Sequence, residues 1–138
     1  MKIKKTALLI TTLLVSCNRN SAVIKHNYHE TKECLISWDD VFLQKEDDYI
    51  TYFYSERCGY CNDIKQDVIS YYLANIETMY FVCTDIKCVI GPNIDIRGIN
   101  NINDFYIFGT PFLVRLLEHQ VYEYYVGASE IKEYVNNI

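Results

Sequence analysis

Two cysteines separated by two residues, Cys58-Gly59-Tyr60-Cys61, are the part of this 138-residue chain most directly suited to chemistry. On the first turn of a helix, sulfurs at this spacing can close a small disulfide ring. The unpaired N–H groups and positive dipole end of that turn stabilise a thiolate on the first sulfur. Cys58 is therefore the expected nucleophile, and Arg57 adds a neighbouring positive charge. Cys61, one turn further in, is the expected resolving thiol, attacking the mixed disulfide that Cys58 forms. Gly59 and Tyr60 tune how far the thiolate is stabilised, and Tyr60 is expected to stand exposed beside the sulfurs.

Four other cysteines, Cys17, Cys34, Cys83 and Cys88, need separate accounts. Cys83 closes an apolar run expected to end near the same sheet edge as Cys58. Cys83 and Cys88 can form a second disulfide that braces the following loop, act as a relay to the first pair, or remain unpaired. Cys34 has no assigned partner and could bridge to either. Four thiolates at Cys58, Cys61, Cys83 and Cys88 also suit a structural zinc site, although the second pair is spaced by four residues rather than two.

The elements that must position the first pair are legible in the pattern. Tyr49 to Tyr54 is a β-branched and aromatic run of strand length that ends just before Cys58. From Cys58 to about Ala74, Ile64, Val68, Ile69, Tyr72 and Leu73 recur at helical spacing. Met79 to Cys83 reads as a second strand. Phe112–Leu117 and Val121–Val126 flank Glu118-His119-Gln120 as a hairpin, with His119 in the turn. A helix capped by Ser129 follows, with Ile131, Tyr134, Val135 and Ile138 on its apolar face. Upstream, Ser37 to Asp40 fits a capping box opening a short helix to about Lys45. Asp85 to Asp104 reads as irregular, with one helical turn near Asn103 to Tyr106, and is placed to shape client access. The expected class is α/β, a central mixed sheet flanked by helices.

The chain opens with the basic Met1-Lys2-Ile3-Lys4-Lys5 and the apolar run Ala7–Val15, too short for a stable membrane span. Leu14-Val15-Ser16-Cys17 resembles the lipobox of bacterial lipoproteins. That resemblance implies a signal peptide over 1–16, a lipid-bearing Cys17 at the mature N-terminus, a polar linker over 17–32 and a domain over 33–138. The expected location is the outer face of a bacterial membrane, with the bilayer as a partner through Cys17. Removing the signal takes away three lysines and no acids, moving the net charge from −5 to −8. So acidic a chain lacks the basic face that nucleic acid requires.

Taken together, these elements resemble the thioredoxin superfamily from about Leu35 to Ile138. The resemblance rests on Tyr52 to Cys61, on Gly109-Thr110-Pro111-Phe112-Leu113-Val114, and on Tyr125-Val126-Gly127-Ala128 through Val135. It implies a cis-proline at Pro111 facing the sulfurs and a Thr110 backbone that pairs with an extended client segment. The implied activity is thiol-disulfide exchange with cysteine-containing proteins or peptides, without a bound cofactor and with a redox partner that recharges the pair. Membership of a peptide-export system is a narrower version of the same expectation. Two departures stand out: Tyr52 occupies the place of the buried Asp common in the family's reductases, and the Lys that often accompanies it has no counterpart. Proton transfer during resolution is thereby left to water or to Glu56.

Overall fold

The computed structural model describes residues 25–137. The expected signal peptide, Cys17 with its expected lipid, and Ile138 lie outside the described residues.

Strand β1 spans Asp48–Tyr54, β2 Met79–Cys83, β3 Phe112–Leu117 and β4 Gln120–Val126, with helix α1 over Gly59–Leu73 and α2 over Gly127–Asn136. The sheet order is β2-β1-β3-β4, with β1 parallel to β2 and antiparallel to β3, and β3 antiparallel to β4. Every residue of β1 from Tyr49 to Tyr54 is buried. A strand covered on both faces has no need of polar alternation, which explains its continuous aromatic and β-branched run. The parallel β1–β2 pair requires a crossover, and α1 supplies it. Glu118 and His119 form the two-residue turn of the β3–β4 hairpin, with φ values of 50° and 58°. Positive φ at both central residues is the turn geometry that follows the right-handed twist of a hairpin.

Alternation along β1 sorts its side chains between two cores. Ile50, Tyr52 and Tyr54 face α1 and α2 together with Cys61, Ile64, Val68, Phe81 and Ile131. Tyr49 and Phe53 face the other side, against Trp38, Phe42, Ile96, Phe105, Ile107 and Phe112. Burying each such side chain stabilises the fold by roughly 1.5–3 kcal/mol before chain entropy is counted.

Several expectations need correction. Residues 28–34, expected to lie mostly in a polar linker, form a 3₁₀ helix, Tyr28–Cys34, with Tyr28 and Thr31 buried. His26 fixes this strap to α1: its backbone N–H donates to Gln66 Oε1 (2.7 Å), and Gln66 Nε2 donates back to the His26 carbonyl (2.8 Å). Leu35 then bridges Phe81 in parallel, and Ile36 N–H donates to the Phe81 carbonyl at 2.9 Å. The strap thereby covers part of the open edge of β2.

The capping box at Ser37 is also different. Its hydroxyl donates to the Asp40 carboxylate at 2.7 Å, and the helix is a single 3₁₀ turn, Trp38–Asp40. Ser129 does not cap α2, which begins at Gly127 (φ 82°); the N–H of Val126 instead donates to Glu130 Oε2 at 2.8 Å. No helix forms between Asp85 and Pro111. That segment is held by Gly91 N–H to Ile107 O (3.0 Å), Gly98 N–H to Val121 O and Val121 N–H to Ile99 O (both 2.8 Å). Ile96, Phe105 and Ile107 cover the second core.

Candidate active site

The sheet register brings two distant segments to one edge. Phe53 pairs with Phe112, so the residues after β1 and those before β3 emerge side by side. The first group leads into Cys58 and the second contains Thr110 and Pro111. The Thr110-Pro111 peptide bond is cis. The Thr110 carbonyl oxygen lies 3.4 Å from Cys58 Sγ. Gly127, where β4 turns into α2, donates its N–H to the Pro111 carbonyl at 3.0 Å and joins the third matching segment to the same edge.

Cys58 and Cys61 form a disulfide with their Cα atoms 5.2 Å apart. Cys58 occupies the N-cap of α1, where its sulfur accepts the Cys61 N–H at 3.1 Å. This contact, together with the dipole of a fifteen-residue helix, favours negative charge on Cys58 Sγ. Cys58 is half-buried and Cys61 is fully buried, so the first sulfur is the more accessible of the two. Tyr60 is 70% exposed beside them. Arg57 is exposed, and its backbone N–H donates to Ser55 Oγ at 3.1 Å.

Two supporting groups were not found from the sequence. Asp85, just beyond β2, accepts the Ser55 hydroxyl at 2.6 Å and the Glu56 N–H at 3.0 Å. It thus clamps the loop that delivers Cys58, and these hydrogen bonds hold its carboxyl below the usual carboxylate range, the Ser55 contact being the largest cause. The second group is Tyr28 on the strap. Its hydroxyl lies 3.3 Å from that of Tyr52 and donates to the Cys61 carbonyl at 3.4 Å, while its ring stacks on Tyr54 with centroids 3.8 Å apart. Burial raises the Tyr28 phenol to about 12 and pushes Tyr52 higher still. Beside Cys61 lies a pair of neutral phenols, which cannot act as a carboxylate base.

The second disulfide is absent: Cys34, Cys83 and Cys88 are free thiols. Cys83 packs against the core beneath α1, whereas Cys88 packs against the core on the opposite face of the sheet. In this arrangement the bracing disulfide between Cys83 and Cys88 is not formed. Among the described residues, no group of three or more His, Cys, Asp or Glu side chains is placed to hold a metal ion. Burial raises both thiols above their ordinary range. Cys83 also donates to Asp85 Oδ2 at 3.6 Å, and Cys34 accepts a hydrogen bond from the Tyr72 hydroxyl at 3.5 Å.

No protein-family model matches the chain, and no curated protein matches it significantly. Solved structures do. The oxidised form of mitochondrial thioredoxin 3 from Saccharomyces cerevisiae matches with a TM-score of 0.52 and 14% identity, over 75% of this chain and 93% of that one. A mutant thioredoxin from Halobacterium salinarum matches at 0.47 and 19% identity, over 75% and 88%. The first likeness, with the mixed four-stranded sheet and flanking helices, establishes the architecture: this chain has the thioredoxin fold.

Proposed function

We propose that the protein is a thiol:disulfide oxidoreductase that exchanges disulfides with cysteine-containing proteins or peptides. The observation that carries this reading is the Cys58–Cys61 pair at the start of α1, its outer sulfur beside the Thr110 carbonyl and its inner sulfur buried. In the reducing direction, the Cys58 thiolate attacks a client disulfide. A Cys58–client bond forms, the client disulfide breaks, and one client sulfur leaves as thiolate. Cys61 then attacks Cys58 Sγ, the mixed bond breaks, and the second client thiolate departs. Two electrons have passed from the pair to the client. Oxidation of a client dithiol is the reverse, and a separate redox partner restores the pair in either case.

Two features support this cycle. The helix terminus and the Cys61 N–H favour the Cys58 thiolate as attacker and as leaving group. The Thr110 carbonyl, 3.4 Å from Cys58 Sγ, would receive a backbone N–H from an extended client as the sulfurs meet. A Cys61→Ser variant is expected to accumulate mixed disulfides through Cys58, visible as reductant-sensitive adducts, whereas Cys58→Ser forms none and loses insulin reduction. Absence of adducts from Cys61→Ser would refute the assignment.

The Leu14-Val15-Ser16-Cys17 motif further supports a tether, with the domain held at the outer face of a bacterial membrane by lipid on Cys17. Cys17→Ser is expected to move the protein from the membrane to the soluble fraction; unchanged membrane retention would remove this part of the reading.

A further inference from the structure

A pocket of about 260 Å³ lies beside Cys58, lined by that residue with Ser55, Glu56, Asn62 and Lys65 and, from the strap, Asn27 and Tyr28. Neither Thr110 nor Pro111 lines it, so it is separate from the position where the backbone of an extended client would pair. Two of its side chains carry opposite charge. Lys65 rises from α1 with its ammonium 6.0 Å from the centre of the Tyr28 ring. Glu56, whose backbone N–H donates to Asp85 Oδ2, brings a carboxylate to the same lining. Among the described residues neither charge has an ion-pair partner.

A cation and a carboxylate, both unpaired and both lining an amino-acid-sized space beside a reactive sulfur, complement one chemical group. That group is the zwitterionic end of a free amino acid: its carboxylate meets Lys65, its ammonium meets Glu56, and Asn27 and Asn62 offer amides around them. A cysteine inside a polypeptide has both termini in peptide bonds and carries neither charge.

We propose that this pocket is a binding subsite for the zwitterionic end of a small amino-acid disulfide, of which cystine is the simplest, and that it presents the disulfide to Cys58. The inference rests on the exchange activity proposed above and adds a class of substrate to it. The Cys58 thiolate bonds to one cystine sulfur, the cystine S–S bond breaks, and the other half leaves as cysteine thiolate, taking a proton from water. Cys61 then attacks Cys58 Sγ and expels the second cysteine. The protein dithiol is oxidised to the Cys58–Cys61 disulfide, one cystine is reduced to two cysteines, and a dithiol reductant restores the pair.

The test measures oxidation of the reduced full-length protein by four disulfides: cystine, cystamine without carboxylates, dithiodipropionate without ammonium groups, and uncharged hydroxyethyl disulfide. Each rate is divided by that compound's rate with a free small dithiol, which removes intrinsic reactivity. Cystine is expected to exceed cystamine and dithiodipropionate by about fivefold each, the scale of one exposed charge pair. Lys65→Gln should abolish the advantage over cystamine and leave the hydroxyethyl disulfide rate unchanged. Glu56→Gln should abolish the advantage over dithiodipropionate. Equal normalised rates for all four compounds, or ratios unmoved by either substitution, would overturn the subsite while leaving the exchange activity intact. Failure to react with any disulfide would overturn that activity and the subsite with it.

Discussion

The two faces of the sheet are built from different aromatic residues. The face under α1 and α2 is filled by Tyr28, Tyr52, Tyr54 and Tyr71 with Cys61, Ile64 and Phe81. The opposite face is Trp38, Phe42, Phe53, Phe105 and Phe112 with aliphatic residues, and Tyr49 is the tyrosine buried there. The first face bears the reactive sulfurs and must fix a helix terminus, a loop and a buried cysteine, all of which carry backbone polar groups. Phenols fill volume there and still supply hydrogen bonds. The second face is mostly hydrocarbon, which excludes water without unsatisfied groups, and its buried phenol, Tyr49, donates to the Val41 carbonyl at 3.0 Å. The difference separates stability from chemistry: changes on one face should move the folding free energy, and changes on the other should move the reaction.

The largest expected effect tests the apolar side. Phe105 is 1% exposed and its ring meets Trp38, Phe42 and Phe53. Phe105→Ala should cost about 3–5 kcal/mol in chemical denaturation and leave the exchange rate of the folded fraction unchanged. A folded variant with a greatly altered rate would break the division between faces.

Asp85→Asn makes the converse test. The amide can still accept from Ser55 but cannot accept from Glu56 N–H with the same carboxylate geometry. Attack by Cys58 should slow several-fold with little change in denaturation midpoint. In the native protein the carboxyl titrates below its ordinary 3.8. The clamp's stabilisation is therefore present above that value and lost as pH falls through the lower folded-state value. Its rate contribution should persist from neutral to mildly acidic pH, and a rate difference between Asp85→Asn and wild type that disappeared near neutrality would contradict the clamp.

The smallest effect concerns the phenols. Tyr28 keeps its proton in the folded protein to about pH 12, whereas its unfolded counterpart loses it near 10.0. Between those values the unfolded chain binds fewer protons, so stability falls as pH rises. Tyr28→Phe should therefore show a shallower loss of stability above pH 10 than the native protein, measured by denaturant unfolding on both sides of that pH. An identical alkaline slope would show that the Tyr28 phenol is not held neutral on the redox face.

Much of this was legible because it is local. The four strands, the long helix and the hairpin follow from runs of β-branched and aromatic residues, helical spacing and turn residues. The placement of Cys58 and Cys61 at the start of α1 follows from their spacing after a strand, and the roles proposed for them rest on that placement. The strap was not legible, because a stretch as polar as Lys25 to Lys32 reveals nothing of the surface that buries Tyr28 and Thr31. Asp85 was equally silent, since its partners Ser55 and Glu56 lie thirty and twenty-nine residues away.

The sequence by itself determined the chemistry that is available: a CxxC pair entering a helix, a proline opening a later strand, and an acidic chain. These depend on neighbouring residues, and side-chain type with short-range geometry is enough to read them. Only the tertiary structure decided which distant groups meet. It put Cys83 and Cys88 on opposite faces of the sheet, brought Thr110 to Cys58, and laid the strap across α1 so that Tyr28 reached Cys61 and Asn27 joined the pocket beside Cys58. The direction in which a chain leaves a strand, and the surface on which a connection docks, are fixed by burial and hydrogen bonding over the whole fold rather than by any local pattern.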